Sequence, residues 1–62
     1  MWAVTKDHAI AVAATEAERE HAPYVVYRLN ERMYGYVPLE MWNANRHSTY
    51  ASATLALKVE PR

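Results

Sequence analysis

Hydrophobic and polar positions change their spacing three times along this chain of 62 residues, and each change marks an element. From Lys6 to His21 the residues are alanines, glutamates and other strong helix formers, with no glycine or proline among them. Ile10, Ala13, Ala14, Ala17 and His21 recur on one stripe at helical spacing, whereas Lys6, Glu16, Arg19 and Glu20 lie largely off it. Thr5 or Asp7 can cap this helix by accepting from its first backbone N–H groups. Pro23 forbids continuation and biases Ala22 toward extended geometry. An alanine stripe lets a helix sit close to a sheet but brings little apolar area, so this helix cannot hold a fold by itself. The apolar lead-in Met1–Val4, with Trp2, reads as a short strand or an anchor.

The spacing then shortens. Two runs rich in tyrosine and valine, Tyr24–Leu29 and Met33–Val37, flank the polar turn Asn30-Glu31-Arg32 and predict a β-hairpin. A two-residue loop sets Tyr27 opposite Tyr34, and a three-residue loop sets Leu29 opposite Met33. The second is favoured, because Asn-Glu is a poor type I′ pair. It places Val25, Tyr27, Leu29, Met33, Gly35 and Val37 on one face and Tyr24, Val26, Arg28, Tyr34 and Tyr36 on the other. A slip of one residue would exchange those faces. Gly35 in mid-strand points to a bulge or to close approach of the alanine-rich helix.

Pro38 suits the first position of a short second helix, Leu39 to about Asn45, whose apolar content is Met41 and Trp42. Asn43, Asn45 and Ser48 mark a loop. From Thr49 to Glu60 the alternation has period two: Ala51, Ala53, Leu55, Leu57 and Val59 against Tyr50, Ser52, Thr54, Lys58 and Glu60. This predicts a half-buried strand, with a helix starting at Ser48 as its competitor, and Pro61 ends either one. The sum is a single small α+β domain over residues 1–62. Its N-terminal helix packs on a three-stranded, mostly antiparallel sheet, four-stranded if Trp2–Val4 joins, with a short second helix before the last strand.

Composition narrows the picture. A chain this short buries roughly 60% of the surface its unfolded form exposes. It has no cysteine, which removes both a disulfide framework and a thiolate zinc site. Self-association or docking on a larger protein is the expected remedy. Seven acidic residues balance seven basic ones, so no overall field draws the chain to nucleic acid or an anionic membrane. The longest apolar run, Ala9–Ala14, is too short to span a bilayer and nothing resembles a signal peptide; a cytoplasmic location without membrane contact is expected.

Candidate chemistry is sparse. His8 and His21 lie thirteen positions apart, beyond the one-turn spacing that lets two ligands share an ion, and His47 has no neighbouring ligand. Glu16, Glu18 and Glu20 read as a solvated run in which Glu16 and Arg19 can pair. Glu31, Glu40, Ser48, Thr49 and Ser52 suggest no nucleophile with its base. No catalytic residue, metal or cofactor is expected. Small toxin RNases carry a Gly-Ser-His-His-type segment, and double-stranded-RNA-binding folds carry a lysine-rich entrance to their second helix; the chain has neither.

What stands out is the tyrosine face. Tyr24, Tyr34 and Tyr36 beside Arg28 and Arg32, with Trp42 near by, combine residue types enriched in protein interfaces. The competing reading is that the second helix, with Met41 and Trp42, covers this face and makes it core. The expected function is a small non-enzymatic interaction module, of the inhibitor or accessory type common in phage and mobile elements, that binds a larger protein or itself. The alternative is single-stranded RNA binding, with bases stacked on the tyrosines and phosphates held by arginine. Neutral net charge favours the protein partner.

Overall fold

Residues 2–3 and 5–62 are described by a computed structural model. In chain order the elements are β1 (Trp2–Ala3), α1 (Lys6–Glu20), β2 (Tyr24–Asn30), β3 (Met33–Pro38), α2 (Leu39–Ala44) and β4 (Thr54–Val59). The strands form one antiparallel sheet in the order β1-β3-β2-β4. This is the predicted α+β architecture, with Trp2 and Ala3 joining as a fourth strand; Met1 and Val4 of the predicted lead-in lie outside the described residues.

Of the two residues able to cap α1, Thr5 does so: its hydroxyl accepts from the His8 N–H at 3.2 Å. Asp7 sits in the first turn, where a negative charge suits the helix dipole. At the other end His21 enters the left-handed region at φ 53°, and its N–H and that of Ala22 return to the carbonyls of Ala17 and Glu18. The buried stripe is Ala9, Ala13 and Ala17, all 0% exposed. It is rotated from the predicted one: Ile10 is half-buried, and Ala14 and His21 are exposed. Three alanines one turn apart let the helix backbone come closest along a single line, with the bulkier Ile10 displaced to its flank.

The hairpin keeps the favoured register, with Val25 opposite Val37, Tyr27 opposite Gly35 and Arg28 opposite Tyr34. Its loop differs. The register shifts between Arg28 and Asn30, so that Asn30 faces Met33 across the two-residue turn Glu31-Arg32, and Leu29 is the extra residue of a bulge. Asn30 stabilises this end: its Oδ1 accepts from the Arg32 N–H at 2.9 Å and its carbonyl from Arg28 Nε at 3.2 Å.

Both sheet faces are covered. The α1 stripe packs on Tyr24 and Val26, flanked by Tyr34, Tyr36 and Val59. The opposite face carries Val25, Tyr27 and Val37, covered by Trp42, Tyr50 and Ala53. Gly35 therefore does not receive the alanine-rich helix. A Cβ built there would lie 2.5 Å from the end of the Tyr27 ring, which occupies that space across the strand pair.

Pro38 stands at the N-cap of α2 and not at its first helical position; the Leu39 N–H donates to the Pro23 carbonyl at 3.0 Å. The strand predicted from Thr49 begins only at Thr54. Before it the chain runs through hydrogen-bonded turns, the N–H groups of Ser48 and Tyr50 both reaching the Asn45 carbonyl and that of Ala53 reaching Tyr50. These turns fold Tyr50 onto Tyr27 and Trp42, away from the outer strand face expected for it. The alternation fails within β4 as well. A register shift sets Leu57 opposite Val26 but Leu55 opposite Tyr27, leaving Ala56 as a bulge. Partners across a ladder share a face, so the two leucines point to opposite sides of the sheet.

Candidate interaction surface

Reading the sheet in rows across its strands locates Tyr24, Arg28, Tyr34 and Tyr36 of the predicted tyrosine face. Nearest the α1 C-terminus, Pro38, Tyr24 and Val59 form one row; next come Tyr36, Val26 and Leu57; at the hairpin end come Tyr34, Arg28 and Thr54. All three rows lie on the α1 side. The first helix, and not the second, closes over the tyrosines, because alanine side chains leave room for rings to fill the gap between helix and sheet.

Tyr24 is 5% exposed and its hydroxyl donates to Glu20 Oε1 at 3.0 Å. Burial pushes this phenol above the ordinary tyrosine range, and the bond to Glu20 adds to the shift. Tyr36 is half-buried beneath the helix. Trp42 belongs to the opposite face, stacked on Tyr27 at 5.8 Å between ring centroids and 5.4 Å from Tyr50, with the Arg46 guanidinium 4.8 Å above it. Arg46 NH1 also donates to the Tyr50 carbonyl at 3.3 Å, which holds the guanidinium in place. Burial raises the Tyr27 phenol too, and neighbouring Tyr50 contributes.

Of the six predicted residues, the structure brings together Arg28, Arg32 and Tyr34. Arg28 and Tyr34 are cross-strand partners, both arginines are exposed, and both bond to Asn30. Tyr34 is half-buried like Tyr36 and both pack on the α1 core, Tyr24 is buried within it, and Trp42 is on the far side of the sheet.

Sequence reasoning missed the larger exposed apolar residues: Leu29 at 39%, Met41 at 48%, Leu55 at 51% and Leu57 at 40%. Two of them belong to β4, whose outer side has no strand beside it among the described residues. Every β4 residue is exposed except the half-buried Val59. Lys58 lies opposite Val25 and pairs with Glu60 at 3.1 Å, so the end of this edge carries no net charge. Only the strand order makes β4 an edge, and pattern alone contains no strand order.

His8, His21 and His47 are all exposed, and among the described residues no group of three or more histidines and carboxylates is placed to hold a metal. No helix among them is long and apolar enough to cross a membrane. No family model, curated protein or solved structure matches the chain.

Proposed function

We propose that this chain is a small non-enzymatic interaction module, of the inhibitor or accessory type, that works by binding a larger protein or a second copy of itself. The supporting observation is the outer edge of β4, where Leu55 and Leu57 stand 51% and 40% exposed on either side of an open row of backbone groups. Covering what these two side chains leave in water contributes roughly 1–3 kcal/mol before any backbone bond forms. A strand laid along the edge gains both terms, the mode by which extended segments are captured on sheets. Arg28, Arg32 and Tyr34 lie at the hairpin end of the same sheet and supply the arginine and aromatic contacts typical of such surfaces.

A tagged chain and its Leu55→Lys/Leu57→Lys variant, each presented to host lysate with and without nuclease, test this reading. The expected result is one stoichiometric protein, a foreign one or an untagged copy, that survives nuclease and is lost with the variant while the circular dichroism spectrum stays folded. Capture that disappears with nuclease, and with Arg28→Ala, would replace it with single-stranded RNA binding.

A further inference from the structure

We infer that the occupant of the β4 edge is the β4 edge of a second copy, paired antiparallel about a two-fold axis normal to the sheet. The inference rests on the interaction-module reading above and names its partner. The existing ladders are all antiparallel, so a copied β4 continues the pattern and joins two four-stranded sheets into one of eight strands. A two-fold contact uses the same patch twice and closes at two subunits. The axis leaves both copies with the same face up. Only one residue can lie on the axis: with Leu57 there it meets its counterpart on the α1 side, and Leu55 packs on the Trp42 side across from Lys58 of the second copy.

Charge permits the approach. Seven acidic and seven basic residues leave no long-range repulsion between copies. The one lysine on the strand, the usual guard of an exposed edge, is turned onto Glu60 at 3.1 Å. The isolated subunit also has reason to associate. Among the described residues the largest side chains buried to below 2% exposure are Val25 and Val26, and most of the remaining core is alanine or partly wetted rings.

Area sets the strength. Six residues make an edge about 20 Å long, on a molecule 16 Å across its shortest axis. That strip falls well short of the roughly 800 Å² per partner of a standard interface, and the Ala56 bulge interrupts its ladder. The result is a reversible dimer dissociating in roughly the micromolar range.

Sedimentation equilibrium from about 1 μM to 1 mM checks this. The weight-average mass should climb from 7.2 kDa to twice that value, while amide exchange across Thr54–Val59 slows with concentration. Leu57→Lys and, separately, Leu55→Lys should each weaken association at least about tenfold with unchanged circular dichroism. Met41→Lys, on an exposed α2 position away from the edge, should leave it intact. A mass of one chain throughout overturns the inference, as does a dimer that survives both leucine variants or is broken by Met41→Lys. A monomer that still captures a foreign protein keeps the interaction-module reading; a monomer that captures none ends both.

Discussion

At the Tyr27 hydroxyl, burial against Trp42 and Tyr50 favours the neutral phenol, and at Tyr24 burial with the Glu20 bond does the same. Both folded-state pKa values lie above the unfolded value of about 10. Below that pH neither state has released these protons and their full contribution to stability is present. As pH rises past it the unfolded chain ionises first, so stability is lost until the folded pKa values are passed. Alkaline titration should therefore show tyrosinate absorbance rising together with loss of circular dichroism, and Tyr27→Phe should flatten the decline in urea midpoint above about pH 10. Gly35 is the partner of that ring across the hairpin. Gly35→Ala forces its Cβ into a ring held on its other side, and should cost about 1–3 kcal/mol in urea unfolding. His21 predicts the opposite sign. Its left-handed backbone at φ 53° strains a side chain that is exposed and makes no bond of its own, so His21→Gly should raise stability by about 0.5–1 kcal/mol in the same assay.

Elements were legible where one period ran uninterrupted. The alanine-rich segment bounded by Thr5 and Pro23 gave α1 its length to within a residue, and alternation about Asn30-Glu31-Arg32 gave the hairpin its register. Two misreadings came from a single inserted residue each. Leu29 bulges and shortens the turn; Ala56 bulges and sends Leu55 and Leu57 to different faces. A bulge leaves no mark in composition, because it answers to the twist of a sheet whose neighbours lie far away in sequence. The face covered by α1 was misjudged for a related reason. Alanine stripes signal close approach without saying to what, and here the other surface is built of rings. Ala13→Leu at the centre of that contact should push α1 away from Tyr24 and Val26, costing about 1–3 kcal/mol with helical content retained in the circular dichroism spectrum.

At the scale of the whole molecule, one sheet separates two small cores, and β2 alone runs four consecutive buried residues, Tyr24–Tyr27, through both. The pairing of Arg28 with Tyr34 could be read in advance from the hairpin register. The β4 edge could not, since its exposure follows from strand order and from the turns that delay the strand until Thr54. The two cores also differ in the order in which refolding can close them. The first is made almost wholly by α1, β2 and β3, and only Val59 waits for the last strand; the second needs Trp42, Tyr50 and Ala53 brought back onto Val25, Tyr27 and Val37. Contacts between segments near in sequence form more readily than distant ones. A chain that has closed α1 over Tyr24 and Val26 therefore still shows water a sticky apolar hairpin face, and the speed with which residues 39–53 fold back decides whether that face meets its own lid or a neighbouring chain.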